Sequence, residues 1–224
     1  MTFDAVLEIY QRHKRRSQDF NFVSTIFAQI RKRYLEDAQQ RGKNPNQAWN
    51  SWSGHNLERL IAHIISDFIR EAGFPVAITS DDQLRHKHIA LELDEVRRKL
   101  LVFYEQYAIV PDADIILYDA RTKDVIAILS CKASLRERVA QAAYWKIKLQ
   151  SQAFTKNILY YLVSTDNDND FKLKEGQPQR DRIIVEFGEL DGAYIFSDIP
   201  ESAKIKQFDR IFDDLTTIFK HWFN

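Results

Sequence analysis

Apolar residues between Leu57 and Ile69 recur at a 3.6-residue period: Leu57, Leu60, Ile61, Ile64, Ile65, Phe68 and Ile69 form one stripe. Gly73 and Pro75 close it, and Ser53 is the expected N-cap, so this stretch predicts the clearest helix of the chain. Upstream, residues 4–16 and about 20–40 read as two more helices. The second carries Phe20, Val23, Ile26, Phe27, Ile30 and Tyr34 at helical spacing, and Gly42 to Gln47 is a loop. Downstream the period shortens. Val76–Ile78 predicts a short strand, a polar loop follows, and residues 93–107 begin as a helix and end as a strand. Ile115–Tyr118 and Val125–Leu129 are short β-branched runs separated by a polar turn, which predicts an antiparallel hairpin. A helix is expected over 135–150 and a buried strand over 157–163, where the run is continuously apolar. Residues 166–182 read as a charged loop, Ile183–Phe187 as a strand, and Ala193–Phe196 as a further strand. From about Ser202, the residues Ile205, Phe208, Ile211, Phe212, Leu215, Ile218, Phe219 and Trp222 predict a terminal helix. Hairpin, helix and strand in this order give an α/β class with a mixed central sheet flanked by helices. An N-terminal helical region over 1–50 would precede a core over 51–224, or the two form one continuous domain.

Composition narrows the field. The chain has 224 residues, 45% of them hydrophobic, with 15 Phe, 9 Tyr and 4 Trp, enough for a substantial core. Thirty-two basic residues balance thirty-two acidic ones, which argues against a protein that coats nucleic acid through net charge alone. Basic residues do gather locally: Lys132, Arg136, Arg138, Lys146 and Lys148 face only Glu137 in the same stretch. A single cysteine forms no internal disulfide, and neither a signal-peptide pattern nor a membrane-length apolar run is found, so a cytoplasmic location without membrane association is expected. His55, His63, His86 and His88 show no zinc-ligand spacing.

The candidate chemistry sits on the hairpin. Asp112 and Asp114 open its first strand, and Ser130-Cys131-Lys132 ends its second. Side chains alternate along a strand, so Ser130 and Lys132 share a face while Cys131 points away. If Asp114 lies opposite Ser130, Asp112 lies opposite Lys132 and all four face one space; a one-residue slip would turn the aspartates away. Carboxylates suit a hard divalent ion, and a lysine beside them suits a phosphate or an attacking water. The plain alternative is that the aspartates only polarise a turn entering the sheet.

This pattern resembles the PD-(D/E)xK nuclease superfamily, and within it the type II restriction endonucleases that read a CCGG core (the BsaWI-like branch). That branch places serine or threonine before xK and an Arg-acidic-Arg cluster just after the lysine; Pro111-Asp112, Ser130-Cys131-Lys132 and Arg136-Glu137-Arg138 stand at those places. The resemblance covers about forty residues. It implies a restriction-endonuclease-like core, Mg²⁺-dependent hydrolysis of double-stranded DNA at a palindromic site, and a homodimer. It also implies that Asp112 and Asp114 hold the metal with an upstream helical glutamate, for which Glu58 is the best-placed candidate and Glu105 another. Which aspartate is the principal ligand stays open, and Glu58 is equally readable as a solvated residue favoured by its helix N-terminus. Arg136 and Arg138 would grip guanine edges and Glu137 would accept from cytosine, with Gln141 and Lys148 extending the DNA contact. The competing readings are phosphate contact for the arginines and a capping box, Ser134 to Glu137, for the glutamate. The usual order in the branch, Arg-Ser-Asp-Arg, is one residue longer than here. Two other functions fit the same residues: a nuclease that cuts junctions by shape, and a non-catalytic DNA-binding module.

Overall fold

The computed structural model describes every residue except Met1, Gln18 and Arg136, together with all side chains of those residues but that of His55. Its centre is a mixed six-stranded sheet made of β1 (Val76–Thr79), β4 (Ile115–Asp119), β5 (Val125–Lys132), β6 (Leu159–Ser164), β9 (Gly192–Ile195) and β10 (Ile205–Gln207), in that spatial order. β4 runs antiparallel to both β1 and β5, while β5, β6, β9 and β10 are mutually parallel. Two small ribbons lie outside it: β2 (Val102–Tyr104) with β3 (Tyr107–Ile109), and β7 (Leu173–Lys174) with β8 (Gln177–Pro178).

Strand alternation sorts the side chains of this sheet into two cores. Ile115, Leu117, Leu129, Cys131 and Val163 pack on one face, under α1 (Phe3–Lys14), α2 (Val23–Gln40), α3 (Pro45–Ala72) and the C-terminal α8 (Ile211–Phe223). Ile116, Ile128, Tyr160 and Leu162 pack on the other, with α4 (Asp81–Arg85), α5 (Leu91–Leu100), α6 (Arg138–Gln150) and α7 (Arg180–Phe187). The α/β class with a mixed central sheet between helices is as expected from the order of elements. Position 50 lies inside α3, and Val6, Ile26 and Phe27 of the first two helices share a buried cluster with the sheet.

Four expectations need correction. Ser53 does not cap α3: the helix starts at Pro45, where the Asn44 side chain accepts from the Gln47 amide, and Ser53 is buried within it, donating to the Trp49 carbonyl at 2.9 Å. An Asn-Pro pair supplies both a cap acceptor and a first residue that needs no amide donor, so it outranks a serine eight residues later. Gly73 ends the helix in the left-handed conformation, φ 71°. Ile183–Phe187 is helical rather than extended, as part of α7. The parallel pairing of β6 with β9 demands a crossover connection, and this demand overrides the strand preference of Ile183, Ile184 and Val185. Gly188 follows α7 because a Cβ there would stand 2.2 Å from the Ile184 carbonyl oxygen. Ile205, expected on the terminal helix, is fully buried in the edge strand β10, and α8 starts only at Ile211 after a short 3₁₀ turn. Lastly, α6 begins at Arg138 without the serine cap, as described below.

Candidate active site

The β4–β5 register pairs Ile115 with Leu129, so the next like-facing pairs toward the strand ends are Asp114 with Ser130 and Asp112 with Lys132. Side-chain contacts follow from that register. Lys132 Nζ donates to both Asp114 oxygens, at 2.8 and 3.2 Å, and to Asp112 Oδ2 at 3.4 Å. Asp114 Oδ2 also accepts from the Cys131 amide at 2.6 Å and from Ser130 Oγ at 3.4 Å. Cys131 itself turns into the opposite core, where burial raises its thiol pKa well above the ordinary value. Lys132 is 7% exposed. Burial opposes its charge, but Asp114 and Asp112 outweigh burial and hold its pKa above that of a free lysine.

Glu58 approaches the group from α3. The residue as a whole is exposed, yet protein crowds its carboxyl end: burial first, then the charges of Asp114 and Asp81, push its pKa up to about 7. Glu105, the other acid considered, is instead at the turn between β2 and β3 with φ 53°.

Two further residues shape the site and escaped the sequence reading. Asp81, at the start of α4, donates its amide to the Ala113 carbonyl at 3.0 Å and forms an ion pair with Arg85 at 2.8 Å. Burial raises its pKa, and Arg85 lowers it less than burial and the two site aspartates raise it. Tyr160 on β6 donates its hydroxyl to the Asp112 carbonyl at 2.6 Å, and burial drives its pKa far up. A local clue existed only for α4, where Ser80 caps the Gln83 amide.

Carboxylates therefore crowd this end of the sheet, which is the charge arrangement a hard cation relieves, and their oxygens are donors of the right kind. Among the described residues, however, no three of His, Cys, Asp or Glu stand together as a ready-made metal shell, and Lys132 Nζ bonds to both aspartates.

Of the expected DNA-contacting residues, Glu137 directly precedes α6, and Arg138, Gln141 and Lys148 lie on it. Arg136 lies outside the described residues. Glu137 is exposed and makes no side-chain cap bond, and Ser134 donates to Asp168 Oδ2 at 2.5 Å instead of capping the helix. The capping-box alternative is thereby removed. Arg138 and Gln141 are exposed on the outer face of α6; Lys148, about 15 Å along at 1.5 Å per residue, lies over the Tyr104 ring at 5.0 Å. Tyr144 joins the same surface, its hydroxyl 2.6 Å from that of Tyr104. Lys146, counted in the basic stretch, faces inward: it is 2% exposed, donating to the Ile158 carbonyl and to Asp191, both at 2.7 Å.

A family model described as BsaWI restriction endonuclease type 2 matches residues 92–214, more than half of the chain and all of the strand-helix-strand unit above. The putative type II restriction enzyme MjaVIP of Methanocaldococcus jannaschii is 34% identical over 218 residues, covering 90% of this chain and 95% of that one. The chain belongs to the BsaWI-type restriction endonuclease family. A second relative, the probable type II restriction enzyme HpyAORF263P of Helicobacter pylori, is 32% identical over 77% of this chain and 94% of its own length. Type II restriction enzymes are site-specific deoxyribonucleases, and enzymes of this superfamily generally use a divalent metal. Solved structures of similar shape include Kpn2I (14% identity, TM-score 0.49, 99% of this chain and 74% of that one) and a PspGI–substrate DNA complex (16%, 0.46, 88% and 76%). A pre-specific BsaWI–DNA complex is alike to a similar degree (13%, 0.45, 84% and 70%). The fold of this restriction endonuclease is the α/β core that the hairpin residues implied. No helix among its described residues is long and apolar enough to cross a membrane.

Proposed function

We propose that this restriction endonuclease is a cytoplasmic, Mg²⁺-dependent homodimer that cleaves double-stranded DNA at a palindromic site with a CCGG core. The observation that carries the reaction is the convergence of Asp112, Asp114 and Lys132 at one end of the β4–β5 hairpin. Asp112, Asp114 and Glu58 would hold Mg²⁺, which when bound polarises the scissile phosphate and lowers the pKa of its water. Lys132, kept charged by its two aspartates, orients the attacking water or the phosphate oxygen and offsets negative charge as the phosphorus becomes pentacoordinate. Ser130 fixes Asp114 through its hydroxyl, and the Cys131 amide fixes the same carboxylate from the main chain.

Specificity rests on the start of α6, which is separated from Lys132 by five residues and so stands at the same end of the sheet as the aspartates. Arg136 and Arg138 suit guanine edges, Glu137 a cytosine amine, and Gln141 and Lys148 the neighbouring groups. Two copies related by a two-fold axis meet a palindrome with one catalytic cluster for each strand.

Incubation of the full chain with Mg²⁺ and a plasmid library holding CCGG in every flanking context, followed by mapping of the ends, tests the reading. Discrete fragments ending at CCGG-containing sites are the expected result. Intact DNA would overturn it, and preferential cutting of branched junctions would replace sequence recognition by shape recognition.

A further inference from the structure

A cleft of about 480 Å³ opens between α2 and the segments that follow β6 and β9. Three cations line it: Arg31 and Lys32 on α2, and Lys172 beyond the Asp166–Asp170 turn. Among the described residues none of the three forms an ion pair, and Arg31 Nε is buried without a hydrogen-bond partner. Two carboxylates share the rim, Glu36 and Asp198, and Asp198 is already engaged by the Gln207 amide at 3.3 Å. A buried, unpartnered guanidinium nitrogen costs free energy unless some acceptor completes it. Nothing in the folding of α2 requires cations here, since its buried face is Val23, Ile26, Phe27, Ile30 and Ala38.

The cleft's place in the sheet says what the acceptor is. Lys132 pairs in register with Ser164, and Ser164 with Ile195. Thr165 and Phe196, which line the cleft, are the next residues along those two strands, so the cleft opens at the same end of the sheet as the aspartates. The two sites are also joined directly, the Thr165 hydroxyl donating at 3.1 Å to the carbonyl of Ala133, the residue after Lys132. Thr165 and Phe196 continue the first and second strands beyond β5, so at about 4.8 Å for each strand the cleft is displaced sideways from Lys132 by about 5–10 Å, on the face of the sheet that α2 covers.

We propose that Arg31, Lys32 and Lys172 form a phosphate clamp that grips the DNA backbone outside the recognised core, to one side of the scissile bond. This rests on the DNA-cleaving function proposed above, and adds to it a contact made by the N-terminal helices and not by α6. The clamp carries no base specificity: it contributes affinity and register through charge alone.

The test compares two duplexes with a central CCGG, one with flanks of about two base pairs on each side and one with about eight, both with closed ends, bound by the full chain in Ca²⁺ over a series of salt concentrations. The wild-type chain should bind the longer duplex at least about tenfold more tightly, with a steeper salt dependence, because it gains phosphate contacts there. Lys32→Gln with Lys172→Gln should remove most of that ratio and lower the salt slope on the longer duplex by about 2, and adding Arg31→Gln should lower it by about one more. Lys32 and Lys172 are exposed, so the double variant keeps its fold even if the Arg31 change disturbs α2. An unchanged ratio and slope in the double and triple variants would overturn the clamp while leaving the nuclease reading intact. Failure of the wild-type chain to bind either duplex would overturn both.

Discussion

Two lysines of this protein are almost equally buried, in contrasting surroundings. Lys132 ends β5 with its side chain 8% exposed between Asp114 and Asp112; Lys146, on α6, has its side chain 3% exposed and meets Asp191. The surroundings differ in the balance of charge. Around Lys132 the carboxylates of Asp112, Asp114, Glu58 and Asp81 outnumber the cations, and burial first, then repulsion among the acids, raises the pKa values of Glu58 and Asp81. Lys146 meets one carboxylate and one carbonyl, and Asp191 also accepts from the Tyr160 amide at 2.7 Å. That corner is electrically and sterically complete, tying α6 to the start of β6. Burial of a lysine beside an acid is therefore no mark of chemistry by itself. Unbalanced negative charge at the open end of a sheet is the better mark.

Removing each lysine in turn breaks the comparison most directly. Lys132→Ala should reduce the rate of DNA cleavage by about 10³-fold, the scale seen when one charge-stabilising donor is lost, while sequence-specific binding in Ca²⁺ survives. Unaltered cleavage by the purified variant would show that Lys132 is a structural lysine like Lys146. Lys146→Ala should instead cost about 3 kcal/mol of folding stability, because it strands Asp191 and the Ile158 carbonyl in a mostly buried corner. Urea denaturation measures that loss, and cleavage by the fraction still folded should stay near the wild-type rate.

Asp166 sharpens the comparison from the acid side, since among the described residues no cation pairs with it. Burial raises its pKa to about 6, although the amides of Asp170 and Phe171 and the Ser197 hydroxyl donate to it. An acid with a raised folded-state pKa contributes stability that is full below its unfolded value near 4 and is lost as pH rises through about 6. Asp166→Asn, which also suits the left-handed φ of 49° at this position, should therefore gain about 2 kcal/mol relative to the wild-type chain between pH 4 and pH 7. A stability difference that stays flat across that range would mean the carboxyl titrates normally.

The hairpin was readable in the sequence because its signal is local: two period-2 runs, a polar turn, and four polar residues whose parity follows from the register. α3 was readable for the same reason, from one stripe of apolar residues. What failed was decided at a distance. Ser134 looked like a cap until Asp168, 34 residues away, took its hydroxyl. Ile183 to Phe187 looked extended until the parallel pairing of β6 and β9 required a crossover. Lys146 looked like part of a basic face, and only its position on the inner side of α6, above Asp191, makes it a core residue. Tyr160 and Asp81 carried no signal as site residues, because each acts through a main-chain group of a segment far away in sequence.

That segment, Val110 to Ala113, belongs to no strand, yet four successive carbonyls in it are taken. Arg85 donates to those of Val110 and Pro111 at 3.3 Å, Tyr160 to that of Asp112, and the Asp81 amide to that of Ala113. A stretch outside the strands is thus moored like a central strand, from two separate elements, α4 and β6. Asp112, which it carries, has already given up its main-chain freedom when the chain folds, so in the proposed reaction each turnover would begin with only its side-chain torsions left to settle.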